Sequence, residues 1–582
     1  MVQGVGDRMK FKELVEYFER LEATTKRLEM FVILAELFKR CDVDEIDKII
    51  YMSQGQLLPS FHGLELGMSE KLLIRAISLA SGQEAQDVER RYKELGDLGK
   101  TADAILRGDG KGLSVNKVYS VIFETAKMGG EGSVEKKIAS IGKLLSDVTP
   151  VEAKYIARFV AGRLRLGVGD ATVLEALSLS KFGREYKDQL ERAYNLCSDL
   201  GLVGRILYEE GDEGIKKIKA KVGYPIRMEL CERLSSAEEI IEKIGRCSIE
   251  AKYDGFRCQV HKSKDRIEIF SRNLERTTPM FPEIVDAAAS HFSASDGIFE
   301  GEAIVYNEAS GELLPFQVTI QRKRKHGIDE AVRDLPLKFY AFDLLFADGV
   351  DYTDRPYNER RNRLNERIKK GNIMELSNAI ITEDPREVLR FFEDAVGDGL
   401  EGIVAKRLDS PYSAGARNFN WIKLKRSYKG ELADTIDVCI LGYYMGKGSR
   451  ARFGIGGLLA GVYDHIANNF KTITRIGSGF SEEELMRLKE MLDEVRIDGK
   501  PHDVDSLIAP DVWVIPKYVV TVAADEITRS PMHTCGMAEG MGYALRFPRM
   551  QGFIREDKGP QDTTSVSEIE EIYKRQRHVK LQ

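Results

Sequence analysis

The spacing of apolar residues changes once along this chain, near residue 215, and that change limits the fold more than any other feature. Before it, Phe11, Leu14, Val15, Phe18 and Leu21 fall at i, i+3, i+4, i+7 and i+10, one apolar stripe of a helix. Similar runs follow, separated by the breakers LRGDGKG, MGGEGS and DVTP, so the first third is expected to be all-helical. Between about 220 and 430 the runs are short and alternating or β-rich, as in CSIEAKYDGFRCQVHK, RIEIFSRN, GIFEGEAIVYN and LKFYAFDLLFADG, interleaved with helical stretches such as YNERRNRLNERIKK. A mixed α/β domain with a largely antiparallel sheet is expected there. From about 431, DVCILGYYMGKGSRARFGIGGLLAGVYD and VWVIPKYVVTVAADEI read as strands with glycine-rich turns and SEEELMRLKEMLDEV as a helix, which suggests a small β-barrel with one helix. The expected domains are 1–215, 216–430 and 431–582. A chain of 582 residues is well beyond what a single core sustains.

Hydrophobic residues make up 43% and charged residues 31%, a balance that argues against disorder and fibrous repeats. The longest apolar stretch, near MFVILAELF, is too short to cross a bilayer, and no charged-then-apolar segment opens the chain. A cytoplasmic protein without a membrane partner is expected, with Met9 as its natural start. The cysteines at 41, 197, 231, 247, 258, 439 and 535 form no CxxC pair, which fits a reducing compartment. Cys258 with His261 and His533 with Cys535 lack partner pairs at zinc spacing, so no zinc site is expected. The net charge of −6 is an average, and local clusters of cations decide whether a polyanion binds. The high charged fraction and few cysteines lean towards a thermophile.

Two phosphate-loop lookalikes carry little weight. GKT at Gly99–Thr101 has Glu94 where the first glycine of the loop belongs and no strand before it, and GIGG at 454–457 reads as a turn between strands. Lys252 is different, because it closes an alternating run and is followed by Asp254, Gly255 and Arg257. A lone KxDG is most simply a solvent-facing lysine paired with Asp254. As a nucleophile it would need its free amine, which at an ordinary pKa is present in roughly one molecule in a few thousand at pH 7. Cations or burial must then lower that pKa, so basic residues and a phosphate-bearing substrate are expected nearby.

The rest of the middle region supplies such residues in order. KYDGFR at 252–257, SRN at 271–273, FEGEAIVY at 299–306, FYAFDLLF at 339–346, EGIVAKRLDSPY at 401–412 and WIKLKRSY at 421–428 resemble the ordered motifs of the covalent nucleotidyltransferases. Within that superfamily the chain most resembles the ATP-dependent DNA ligases of the archaeal and eukaryotic replicative type. The resemblance reaches both flanks. ARFVAGRLRLGVGDATVLEAL at 157–177 is similar to their DNA-binding domain, and PDVWVIPKYVVTVAADEITRSP and LRFPRMQGFIREDKGP to their oligonucleotide-binding barrel and last motif. Gln551 and Gly552 depart from the pattern, standing where an apolar strand is expected.

The resemblance implies a multidomain chain: an all-α N-terminal DNA-binding domain, an α+β adenylation domain with antiparallel sheets, and a C-terminal OB-fold β-barrel. It implies that Lys252 attacks the α-phosphate of ATP to give lysyl-AMP. Arg257, Arg272, Arg417, Lys423 and Lys425 match motif positions that contact ribose or phosphates, and they are expected to depress the pKa of Lys252. Glu302 and Glu401 are carboxylates within apolar runs, suited to Mg²⁺, with Glu302 also contacting the ribose by resemblance. Phe342 is implied to stack on the adenine. Glu250, two residues before Lys252 and hence on the same strand face, is expected to meet the adenine amino group.

Arg158, Arg163 and Arg165, interleaved with Gly162, Gly167 and Gly169, are expected to hold DNA by its shape, without base specificity. Arg322–Lys325 reads as a solvated loop. The implied activity is sealing of 5′-phosphate/3′-hydroxyl nicks in duplex DNA during replication, repair and recombination, by a monomer. A sliding-clamp partner is implied by the family, although no glutamine-plus-aromatic clamp peptide is found. Two other readings stay open here: a relative acting on RNA or using GTP, and a DNA-encircling protein with a dead active site.

Overall fold

The computed structural model describes residues 8–579 apart from 265, 309–312, 315, 325–326, 398–399, 426–434, 447–452, 525 and 547. Lys325 therefore lies outside the described residues. The chain forms two compact units, one running through Tyr194 and then Ser198–Ile218, the other comprising Asn195–Cys197 and the chain from Lys219 onward.

The first unit is helical, with twelve α-helices among the described residues from Phe11–Glu22 to Leu200–Lys216. The stripe residues Phe11, Leu14, Val15, Phe18 and Leu21 are all buried. The breaker DVTP is a helix start: Thr149 and Glu152 cap each other's backbone N–H and Pro150 occupies the first turn, where its missing donor is no loss. Gly99–Thr101 likewise lie in the first turn of helix Leu98–Ile105, capped by Asp97.

In the second unit the strands between residues 230 and 425 are β1 (Leu230–Arg233), β2 (Cys247–Lys252), β3 (Phe256–Ser263), β4 (Arg266–Ser271), β5 (Asp296–Val305), β6 (Leu337–Ala347), β7 (Val350–Asp351), β8 (Met374–Leu376), β9 (Ala379–Thr382), β10 (Gly402–Arg407) and β11 (Arg417–Lys425). They form two sheets, ordered β1-β11-β10-β2-β9 and β4-β3-β5-β6-β7, with β8 beside β6. Pairing is antiparallel except for β1 with β11 and β8 with β6. Period-two alternation gives each sheet one apolar face. Cys247, Ile249, Ile403, Ala405, Ile422 and Leu424 pack into one core with helices Ala237–Ile244 and Pro385–Gly397. Phe256, Cys258, Val260, Phe299, Ala303 and Phe339 belong to the other, under helix Pro282–His291. The opposite faces are left to carry the charged residues.

The C-terminal part is rich in strands: β12 (Ile436–Tyr444), β13 (Gly457–Asp464), β14 (Asn469–Ile476), β15 (Arg496–Ile497), β16 (Val504–Asp505), β17 (Val512–Val514), β18 (Val519–Ala523), β19 (Glu526–Ser530), β20 (Gly542–Arg546) and β21 (Arg549–Ile554). Helix Glu482–Glu494 packs Leu485, Leu488 and Leu492 into their shared core. Gly454, at φ +68, turns the chain just before β13. Gln551 and Gly552 lie within β21, where Val520 of β18 faces Ile554 but Thr521 faces Gln551. This bulge absorbs the extra residues: Gly552 takes φ +71 and both positions are exposed, so the strand forms without an apolar side chain at either.

Candidate active site

The charged faces of the two sheets bring the motif residues of the middle region together. Lys252 ends β2, and its backbone carbonyl accepts the N–H of Glu401 at 3.1 Å. Gly402 then starts β10 at φ +147, and any Cβ there would lie 2.1 Å from the carbonyl oxygen of Leu424. Only glycine allows this approach, which delivers Glu401 to the lysine. Glu401 is ion-paired to Lys252 through one carboxylate oxygen and to Lys425 through the other, and the three side chains are 23–31% exposed. Gly255 does the same for the facing strand: a Cβ there would meet the Ala303 carbonyl at 2.4 Å and the Glu302 side chain at 2.9 Å. Glu302 is half-buried and, among the described residues, no hydrogen bond or ion pair reaches its carboxyl.

Next to this cluster lies an aromatic chamber. Glu300 pairs with Asp343 and Gly301 with Ala341, leaving Phe342 as the extra residue of a bulge in β6. The bulge turns Phe342 towards Trp421, whose ring it meets edge-on at 6.0 Å, with Arg257 5.4 Å above Phe342. Arg257 is held by the Glu229 carbonyl and the Glu300 carboxylate, both at 2.8 Å. Asp343, beside the bulge, is gripped twice by fully buried Arg360.

Glu250 lies on the lysine's face of β2, as alternation requires, but its carboxylate is already engaged. It accepts from Ser377 at 2.9 Å and from Tyr357, and it pairs with buried Lys406 at 3.0 Å. An adenine contact through that side chain would have to displace one of these partners. Lys406, which sequence reasoning missed, sits 4.6 Å from the Phe342 ring centre and 4.2 Å from that of Trp421. Its signal was available: like Glu401, it is a charge in an apolar strand.

Arg417 and Lys423 point their charges at one carboxylate, Glu568 of helix Val566–Val579, at 2.8 and 2.7 Å. Arg272 pairs with Asp562 at 3.2 Å. Nothing in the sequence signalled that two acids near its end meet three cations of the middle region.

These partners overturn the expectation that the cations depress the pKa of Lys252. Burial would lower it, but Glu401, then Glu302 and Asp254, raise it above the ordinary lysine value. Each nearby cation is itself paired with an acid, Arg257 with Glu300, Arg272 with Asp562, Arg417 and Lys423 with the shared Glu568 and Lys425 with the lysine's own Glu401, so the field at the lysine is acidic. Glu401 would be raised by burial but is held well below the carboxylate range by Lys252 and Lys425. Burial pushes Glu302 up to about 8 and Lys423 down to about 8. Among the described residues no three His, Cys, Asp or Glu side chains converge as a metal cage. The donor set nevertheless fits Mg²⁺, which takes few protein oxygens, because Glu302 is a carboxylate with no compensating charge in contact.

The family description "ATP dependent DNA ligase domain" matches residues 228–425, "DNA ligase N terminus" matches 10–178, and "ATP dependent DNA ligase C terminal region" matches 451–558. A probable DNA ligase of Dictyoglomus turgidum is 53% identical over 576 residues, spanning 99% of both chains. This chain belongs to the ATP-dependent DNA ligase family. A DNA ligase of Sulfurisphaera tokodaii is 42% identical over 97% of this ligase and 98% of its own length. Among solved structures, mycobacterial DNA ligase D complexed with ATP and MES aligns with 58% of this chain and 97% of its own, at 25% identity and a TM-score of 0.34. The chain is thus an ATP-dependent enzyme that acts on DNA, and among the described residues no helix is long and apolar enough to cross a membrane.

The arginines expected to hold DNA lie in the helical unit and differ from one another. Arg163 pairs with Glu70 at 2.8 Å and Arg165 with Asp97 at 3.2 Å, their side chains 24% and 17% exposed. Arg158 departs from the expectation. It is 3% exposed, with its guanidinium on Asp97 at 2.9 Å and Glu22 at 3.0 Å, and so has little surface to offer a phosphate. Arg158→Ala is expected to destabilise this unit by about 2–3 kcal/mol, since buried Asp97 loses its closest ion pair and keeps only Arg165 and its helix-cap amides, as urea unfolding followed by helical circular dichroism would read.

Proposed function

We propose that this ligase seals nicks in duplex DNA through lysyl-AMP at Lys252. The observation that carries the reading is the shared ion cluster Lys252–Glu401–Lys425, bordered by Glu302 and an aromatic chamber around Phe342. The lysine amine, once deprotonated, attacks the α-phosphorus of ATP. The bond to the β-phosphate oxygen breaks, pyrophosphate leaves, and AMP stays on the nitrogen. AMP then passes to the 5′-phosphate of the nick, and the 3′-hydroxyl displaces it to form the phosphodiester. Arg257, Arg272, Arg417, Lys423 and Lys425 bind ribose or phosphates. For Arg417 and Lys423 this means exchanging Glu568 for a phosphate, a substitution of one anion by another. Phe342 stacks on the base, and the Glu250–Lys406 pair borders it. Mg²⁺, held by Glu302 and Glu401 with phosphate and water as its other ligands, would neutralise charge developing on the phosphate oxygens.

In this reading residues 1–215 bind the duplex through Arg163 and Arg165, with Arg158 fixing their surroundings, residues 216–430 hold the nucleotide, and 431–582 form an OB-fold that closes over one substrate or the other. The enzyme acts as a monomer in replication, repair and recombination, and a sliding clamp is a further proposed partner. Incubation with Mg²⁺ and α-labelled ATP or GTP, followed by denaturing electrophoresis and a chase with nicked duplex, tests this. Label from ATP that survives denaturation and leaves as nicks close is expected. Label from GTP alone, or DNA binding with no label, would replace it with the capping-type or the inactive reading.

A further inference from the structure

We propose that Asp97 is a positioning residue for the DNA grip, acting by holding Arg165 in the conformation in which it meets the phosphate backbone. This rests on the reading of Arg163 and Arg165 as DNA contacts. The loop between helices Pro150–Val160 and Asp170–Lys181 alternates in burial: Leu164 and Leu166 are buried, whereas Arg163 and Arg165 keep part of their surface. Gly162 and Gly167 take φ +66 and +67, and between them Arg165 takes φ +61. That conformation is disfavoured for a residue with a Cβ, so something outside the loop must hold it.

Asp97 is that external support. It is 4% exposed and belongs to a different part of the unit, the start of helix Leu98–Ile105. One carboxylate oxygen caps the helix, accepting from Gly99 N at 2.7 Å and Lys100 N at 3.1 Å. The other accepts from Arg158 Nη2 at 2.9 Å and from Arg165 Nη1 at 3.2 Å, and Arg158 Nε donates to both oxygens. The carboxylate thus ties a helix start, a buried arginine and the loop arginine into one rigid group. Glu70, Tyr92, Asp97 and Gly99 line a single pocket with Arg163 and Arg165. A guanidinium has five donors, so Arg165 can keep its bond to Asp97 and still offer donors to a phosphate oxygen. A pre-set arginine binds more tightly because less freedom is lost on binding.

The test is a double-mutant cycle on nicked duplex DNA with Asp97→Asn, Arg165→Ala and the pair, reading Kd as a function of salt. Asparagine caps a helix as well as aspartate does, so the change spares the cap, but it removes the charge and turns an amide NH₂, a donor, towards the two guanidiniums in place of the accepting oxygen. Arg165→Ala is expected to weaken binding about tenfold and to flatten the slope of log K against log salt by about 0.9, the loss of one phosphate contact. Asp97→Asn is expected to weaken binding about three- to tenfold in the wild-type background and not at all in the Arg165→Ala background. A similar loss in both backgrounds would show that Asp97 acts only through the fold and would overturn the proposal. Wild-type affinity in Asp97→Asn overturns it while leaving the Arg165 contact standing. Wild-type affinity in Arg165→Ala removes the contact itself, and the proposal with it. Melting temperatures are recorded alongside. Should Asp97→Asn melt early, Asp97→Ser, which also caps, carries the same comparison below its melting point.

Discussion

Lys252→Ala is expected to abolish protein labelling from ATP, by at least about 10³-fold, because no other group can take its place as the nucleophile in the covalent route. Duplex binding is expected to persist, since the proposed DNA contacts lie in the helical unit. The variant should fold: Glu401 keeps Lys425, so the loss of stability is about 1–2 kcal/mol, less than for stranding a lone buried charge. Retained self-labelling would sink the assignment. The wild-type protein carries a companion prediction in pH. The folded pKa of Lys252 is raised by Glu401, so the ion pair contributes its stability throughout the neutral range and loses it only as pH rises through that raised pKa. The reactive free amine therefore grows with pH, and kcat/KM for self-adenylation is expected to climb about tenfold per unit between pH 6 and 8.5. A flat profile would mean that the lysine is not the group losing the proton.

Glu302→Gln is expected to move activity and stability in opposite directions. Nick sealing should fall by about 10²–10³-fold, since the carboxylate proposed to hold Mg²⁺ is lost. Metal-free stability should rise above pH 6. The folded pKa of Glu302 is raised to about 8 from an ordinary 4.5. The folded state thus binds more protons than the unfolded one between those values, and stability falls across that window as pH rises. Glutamine cannot ionise and escapes the fall, a gain of about 1–3 kcal/mol after allowance for the partial exposure of the side chain. Differential scanning calorimetry at pH 5, 7 and 8.5 reads the difference directly. Mg²⁺ with ATP should raise the melting temperature of the wild type and leave the variant nearly unmoved; equal shifts in both would remove Glu302 from the metal site.

Both predictions turn on a residue visible in the sequence whose surroundings were not. Glu302 and Glu401 stand out as carboxylates in apolar runs, because an uncompensated charge in such a run needs a partner or a ligand. Their environments nevertheless differ by whole charges: Glu401 holds two lysines, whereas no ion pair reaches Glu302 among the described residues. Arg158 shows the same gap in the helical unit. Its place beside Gly162, Arg163 and Arg165 in the chain suggests one binding group, but a helix turns its residues through different directions, and Arg158 faces Asp97 and Glu22 inside the fold.

Features that repeat locally were legible in the chain. The 3.6-residue stripe from Phe11 to Leu21 produced a buried helix face, and period-two alternation placed Glu250 with Lys252 and Lys423 with Lys425 on the charged side of their strands. The ordered motifs carried the family and its chemistry, because backbone geometry and motif spacing are properties of neighbours along the chain. Which opposite charge each of these groups meets was settled by the fold. Glu401 reaches Lys252 across 149 residues and Glu568 reaches Arg417 across 151. Coulomb attraction acts over a few ångströms of space and takes no account of chain distance, so the pKa of Lys252 was set by strand pairing and loop closure.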